Sequence, residues 1–317
     1  MTDHFADDII DRRRLRRKLT FWRSVALIVA LACLVSIVFA MQPEEGFGAK
    51  SRPHVAKLRV EGTIVENEDL VALIDEVGET DAVKGVILAI DSPGGTTAGG
   101  EAIYEAVRRL AADKPVVAQI GTLGASAAYM IASGTDHIVA RQSSIVGSIG
   151  VILQTPNVSG LLETLGVEVK SIKSTALKGE PSMTGKPVPG AEEMMRAMVL
   201  DSFDWFKGIV EERRGLSSAE ITELADGSVF TGRQALDRKL IDALGGEEVA
   251  RDWLSSEGVS DDLKVIEWDA GEATSGELWS QAMARIMGFG PSASASVDAI
   301  RQRLLLDGLI SVWHVGH

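Results

Sequence analysis

Apolar and polar positions fall in short blocks along most of the chain, and the period of the blocks switches between two and about three and a half. Val55–Val60 and Gly85–Ile90 are brief runs rich in β-branched residues, the pattern of buried strands. Between them Leu70, Leu73, Ile74 and Val77 share one face of a helix expected over Asn67–Val77. Ala98–Ala111 repeats that period with Ile103, Ala106, Val107 and Leu110 inward. Pro115–Ile120 reads as a strand, Ser126–Ala132 as a small-residue helix closed by Gly134, and Ile138–Ala140 and Val167–Ile172 as further short strands. Past Pro189 the period is helical over Ala191–Arg213, Ser218–Ala225 and Gly232–Lys239. A last α/β stretch holds Glu247–Ser256, Lys264–Trp268 and helices to the C terminus. Strands separated by helices require crossover connections, so the expected class is α/β, with no solenoid repeat.

One block differs from all others. Residues 24–43 carry no charge, and their centre, Val25 to Phe39, is almost continuously aliphatic. About 20 helical residues span the roughly 30 Å hydrocarbon core of a bilayer. The segment therefore predicts one N-terminal transmembrane helix. A cleaved signal peptide ending at Val38-Phe39-Ala40 is the competing reading; the run is longer than the usual signal-peptide core, which favours a retained anchor. The expected organisation is a cytoplasmic basic segment (1–23), the anchor (24–43), a polar linker (44–53), the main α/β domain (54–257) and a C-terminal α/β extension (258–317) to which the sequence assigns no role.

Charge sharpens this picture. Residues 1–23 hold seven Lys or Arg against four Asp, a balance of +3, which leaves −16 of the formal −13 on the remainder. Basic residues before an apolar helix stay in the cytoplasm, which places Gln42 onward on the far side of the membrane. A soluble part this acidic lacks the basic face that nucleic acid demands. Cys33 is the only cysteine, so no disulfide or thiolate site is available, and the five histidines show no metal-ligand spacing. No metal or cofactor is expected.

Three glycine-rich turns carry the candidate chemistry. Asp91-Ser92-Pro93-Gly94-Gly95 lies between a strand and a helix, where backbone amides can face a cleft as an oxyanion hole; the competing reading is a plain turn. Gly121-Thr122-Leu123-Gly124-Ala125-Ser126-Ala127 sets a hydroxyl at a helix start among residues too small to block it. That suits a nucleophile with the Ala127 N–H as a second oxyanion donor, although serine also serves commonly as a helix cap. Val146-Gly147-Ser148-Ile149-Gly150 is the third. A serine nucleophile needs a base, and His137, at the start of a short strand, reads as structural. Lysine can serve when neutral, which from a reference pKa of about 10.4 costs roughly 4–5 kcal/mol at pH 7 and demands desolvation. Lys178 follows Ala176 and Leu177 and fits that demand better than Lys186, which stands between Gly185 and Pro187; either could instead be a solvated loop lysine.

In order, these motifs resemble the bacterial signal peptide peptidases, Ser–Lys peptidases on the fold shared by the Clp protease subunit and the crotonases. Val229-Phe230-Thr231-Gly232-Arg233-Gln234-Ala235-Leu236 and Leu240-Ile241-Asp242-Ala243-Leu244-Gly245-Gly246 add to the resemblance, which covers about residues 55–255 in the short, single-copy form. It implies Ser126 as nucleophile, Lys178 as base, Ser148 as the hydroxyl orienting the lysine, and Gly95 with Ala127 as the oxyanion hole. It also implies a homo-oligomeric ring and remnant signal peptides as substrates. Thr175 departs from the pattern, which commonly has glycine there. Two rivals share the fold: a crotonase-type acyl-coenzyme A enzyme, from which an export anchor would separate the cytosolic thioesters, and an inactive membrane scaffold or chaperone. The topology is tested by C-terminal reporters: a reporter active only outside the cytoplasm gives signal and a cytoplasmic one is silent. The reverse pattern would overturn the orientation.

Overall fold

The computed structural model describes residues 21–29, 50–269 and the backbone of 310–312. Residues 21–29 are helical (α1) and belong to a unit, residues 1–52, separate from the rest. Among the described residues no helix is long and apolar enough to cross a membrane. The expected anchor lies outside them beyond residue 29, as do the helices expected after Trp268.

From Pro53 onward the fold is mixed α/β around one largely parallel sheet. Its path runs β6 (Val229–Thr231), β5 (Ile145–Gly147), β3 (Val116–Ala125), β2 (Val83–Thr96), β1 (His54–Ile64), β8 (Val265–Glu267). Short strands β4 (His137–Ala140) and β7 (Ala243–Leu244) continue from β3 along a second branch, and β9 (Ile310–Val312) pairs with β2. The period-two alternation inside the apolar runs divides the core. Leu58 and Val60 of β1, Val86, Leu88 and Ile90 of β2, and Val116, Ala118 and Ile120 of β3 face one side. There they meet α2 (Glu68–Glu79), α3 (Thr97–Asp113) and α4 (Ala127–Ser133), together with Phe206 of α6 (Ala191–Arg214). Val55, Ile87, Val117 and Val139 face the other side, against Ala250 and Leu254 of α9 (Glu247–Ser256). Truncating a fully buried residue such as Ile74 to alanine costs about 2–5 kcal/mol in such a core.

Local chemistry sets the helix starts. The Asn67 side chain accepts from Leu70 N at 3.0 Å to open α2, and Thr96 Oγ1 accepts from Gly99 N at 3.1 Å to open α3. Ser217 and Glu220 form a capping box on α7 (Ser218–Leu224), and Thr231 and Gln234 another on α8 (Gly232–Asp237).

One feature departs from the sequence pattern. Val167–Ile172 is not a strand: it has no sheet partner among the described residues, and Val167, Val169 and Ile172 are all exposed. Its alternation instead follows α5 (Ser159–Thr164) in a segment that stands off the core. The element expected at Lys264–Trp268, in turn, enters the sheet. β8 pairs with β1, and Trp268 Nε1–H donates to His54 Nε2 at 3.0 Å.

His137 is built into this scaffold. Its ring stacks on Trp253, centroids 5.0 Å apart, and Nδ1 lies 3.9 Å from Asp242, which also accepts from Ile138 N and from Arg214. Burial lowers its pKa below the ordinary histidine value, against the opposing pull of Asp242. The unfolded chain therefore takes the proton first, so this contribution is complete above the unfolded value of about 6.5 and is lost as pH falls through the folded one. The melting temperature is expected to fall between pH 7.5 and pH 5, and less steeply in His137→Phe. Equal slopes in the two proteins would remove His137 as the titrating group.

Candidate active site

β2 and β3 pair in register to Ile90↔Ile120 and, after a register shift, meet again at Ser92↔Gly124, whereas β3 and β5 stay in register to Ala125↔Gly147. Ser126 and Ser148 come directly after the partners Ala125 and Gly147. The two serines therefore leave adjacent parallel strands side by side at the carboxyl edge, about one strand spacing of roughly 5 Å apart. Both have a backbone that side chains resist: φ is 60° at Ser126 and 53° at Ser148, and Lys239 is the one other non-glycine with positive φ among the described residues. Each such residue costs on the order of 1–3 kcal/mol and persists only where its surroundings hold it.

The hold is visible at both. Ser126 N donates to Gly147 O at 2.8 Å, Met130 N donates to Ser126 O at 3.0 Å, and α4 behind it is buried along its whole length. Ser148 N donates to Ser228 O at 2.7 Å, next to β6. Gly147, at φ +103°, also disfavours a side chain, and a Cβ there would press on Ser228 O at 3.0 Å. Ser126 is the N-cap of α4, not its first residue, so the N–H of Ala127 lies in the first turn, where helix amides lack helical partners.

Gly95 sits where β2 outruns β3. On one side Thr63↔Gly94 and Ile64↔Gly95 continue the pairing with β1. On the other, the edge that β3 vacates just before Ser126 takes β9 antiparallel, with Gly94↔Val312, Gly95↔Ser311 and Thr96↔Ile310. That edge therefore holds an extended segment of the chain itself by main-chain pairing, as in strand addition. A Cβ at Gly95 would lie 1.7 Å from Ile64 O, so no other residue fits without moving the strand. Behind this edge a cavity of about 380 Å³ is lined by Ile64, Val65, Leu70, Leu73, Ile103 and Trp268, with Arg59 and Glu267 at its rim.

The lysines lie elsewhere. Lys178 is exposed in the loop before α6, and among the described residues its Nζ makes no hydrogen bond or ion pair. The chain by itself thus brings Ser126, Ser148, Gly95 and Ala127 together and does not join Lys178 to them. Lys186 is also exposed, and Lys173 pairs with Glu180. Sequence reading passed over Asp91, whose Oδ1 accepts from Leu123 N at 3.1 Å and braces the Gly121–Gly124 turn against β2. It likewise passed over Ser144, whose Oγ donates to Gly121 O at 2.5 Å. The acidic residue directly before Ser92-Pro93 was the available signal for the first; nothing marked the second.

A parallel α/β sheet with two serines and a glycine turn at its carboxyl edge defines a Clp protease-like fold, and residues 65–149 match the Clp protease family. Residues 108–259 match peptidase family S49. A protein of Synechocystis sp. provisionally named a protease is 36% identical over 69% of this chain and 79% of its own length. One of Enterococcus faecium, provisionally named signal peptide peptidase SppA, is 31% identical over 82% of this chain and 79% of its own. A solved structure, a serine-to-alanine mutant of the 1510-N membrane-bound stomatin-specific protease, covers 69% of this chain and 98% of its own at 14% identity and a TM-score of 0.46. The chain belongs to peptidase family S49 and is a serine peptidase.

If the Gly95 amide faces the oxyanion, Gly95→Ala is expected to lower kcat/KM by about 10²–10³-fold, because that amide must shift with the strand. It should lower the melting temperature as well, measured by calorimetry. Wild-type kinetics would remove Gly95 from the site.

Proposed function

We propose that the protein is a membrane-anchored endopeptidase using Ser126 and Lys178, and that it degrades signal peptides left after export. Ser126 Oγ attacks the scissile carbonyl carbon while its proton passes to Lys178 Nζ. The oxyanion meets the N–H groups of Gly95 and Ala127. The lysine then gives that proton to the leaving amine, and an acyl-enzyme ester remains. Water repeats the sequence in the second half, restoring the serine and releasing the acid. Ser148 Oγ orients the lysine amine.

The observation that carries this reading is the strained, buried Ser126 beside an edge strand, Gly94–Thr96, that pairs with an extended chain. An apolar anchor over 24–43 suits apolar peptide substrates, since it raises their concentration at the bilayer. The name of the Enterococcus faecium relative points to the same substrate class.

The base comes from a neighbouring copy. Lys178 is solvent-facing and without a side-chain partner in its own chain among the described residues. The segment around it exposes Leu161, Leu165, Val167, Val169 and Ile172, an apolar surface that a second copy in a ring would cover. Such an interface also supplies the desolvation that a neutral lysine requires.

Ser126→Ala and Lys178→Ala are each expected to lower kcat by at least about 10³-fold, with the double variant little worse. Lys178→Arg should be equally inactive, because arginine stays protonated. Mixing Ser126→Ala with Lys178→Ala chains should restore part of the activity. Mixed oligomers that are confirmed by mass yet wholly inactive would refute the shared site. Turnover of apolar signal peptides no faster than that of unrelated soluble peptides would refute the substrate class.

A further inference from the structure

Between Ile149 and Ala191 most side chains are exposed, apolar ones included, and the rest but one are half-buried. Glu180 is the one buried residue in that stretch. Its side chain is 2% exposed, and it is the one carboxylate among the buried residues described. A carboxylate shielded from water needs hydrogen-bond partners, so the loop is folded around it.

The contacts show how. Lys173 Nζ donates to Glu180 Oε1, and Ser182 N donates to Oε2 at 3.0 Å. Glu180 N donates to Leu177 O, and Lys178 N donates to Thr175 O, both at 3.2 Å. Lys178 therefore sits in a bight whose two ends, Lys173 and Glu180, are closed by an ion pair. The bight is in turn tied down. Ser182 Oγ accepts from Gly185 N at 2.9 Å, and Asn157 Nδ2 donates to Ser182 O at 3.1 Å and to Gly185 O at 2.9 Å. Val158 N donates to Met183 O at 2.8 Å. The network thus runs from the carboxylate back to the segment that leaves Ser148.

The pair also sorts the lysines by contact. Lys173 Nζ is engaged by Glu180, and that contact holds the Glu180 carboxyl below the usual carboxylate range. Lys178 meets no carboxylate among the described residues.

We propose that Glu180, through its ion pair with Lys173, is a positioning residue for Lys178: it fixes the loop that presents the base and occupies the neighbouring lysine. The proposal rests on Lys178 being the base.

The test uses the full chain in detergent and a fluorogenic peptide. Lys173→Met and Glu180→Gln are expected to lower kcat by about 10–100-fold, as a base displaced by an ångström would. KM should stay within about threefold, since the substrate strand is untouched. Lys173→Arg should keep kcat within about threefold of wild type, because it retains the charge on Glu180. Lys173→Met with Glu180→Gln should cost far less than the product of the two single losses. Hydrogen exchange of the Lys178 and Glu180 amides provides a second measure that does not depend on turnover. Protection should be lost in Lys173→Met while the sheet amides keep theirs. Wild-type kcat in Lys173→Met and Glu180→Gln, equal losses in Lys173→Met and Lys173→Arg, or unchanged protection would each overturn the proposal. Activity in Lys178→Ala would instead overturn the assignment of the base, so the two failures are distinguishable.

Discussion

Ser126 has a backbone conformation that costs on the order of 1–3 kcal/mol for any residue with a side chain, and much of the fold serves to hold it there. Two restraints act from opposite sides. The Gly147 carbonyl fixes its N–H from β5, and Met130 fixes its carbonyl from α4. Helix α4 cannot relax the turn, since its residues are buried from end to end and the Tyr129 hydroxyl is anchored on Leu240 O at 2.7 Å. α3 presses on it closely enough that a Cβ at Gly100 would meet Ala127 Cβ at 3.0 Å. Burial elsewhere in the core offsets the local strain, which leaves the hydroxyl at the carboxyl edge of the sheet.

The same edge supplies its neighbours by sheet geometry alone. In-register parallel strands end together, so the residues after Ala125 and Gly147 must emerge side by side. Gly95 enters the group because β2 continues beyond β3 while remaining paired with β1. No long-range electrostatic arrangement is needed to assemble these parts. Lys178 obeys a different logic: its loop is organised by Glu180 and Asn157 and owes little to the sheet. A sheet-borne half and a loop-borne half are what the proposal of a base supplied by a second copy would require.

The legible parts of the chain were those where a short local period carries the structure. The runs in β1, β2 and β3, the helical faces of α2 and α3, and the helices after Pro189 could be read because burial on the sheet requires alternation and burial of one helix face requires a period near 3.6. Val167–Ile172 shows the limit. Its alternating valines look like a strand, but a strand exists only with a partner, and none lies beside it among the described residues. β9 shows the converse. Three residues are too few to signal a strand by pattern, and they become one because an edge of the sheet is open to them. The candidate serines and glycines were legible as motifs in order; their mutual placement was not, because it depends on the register between strands far apart in sequence.

By itself, then, the amino-acid sequence determined the α/β class, the separate character of residues 24–43 and the identity of the small residues at each turn, all of which stem from local composition and period. Only the tertiary structure decided that Ser126 and Ser148 share an edge and that Gly95 admits no Cβ. It alone also decided that Glu180 is buried among exposed neighbours. Each of these depends on which distant backbone lies within a few ångströms, and a residue carries no mark of that in its own neighbourhood.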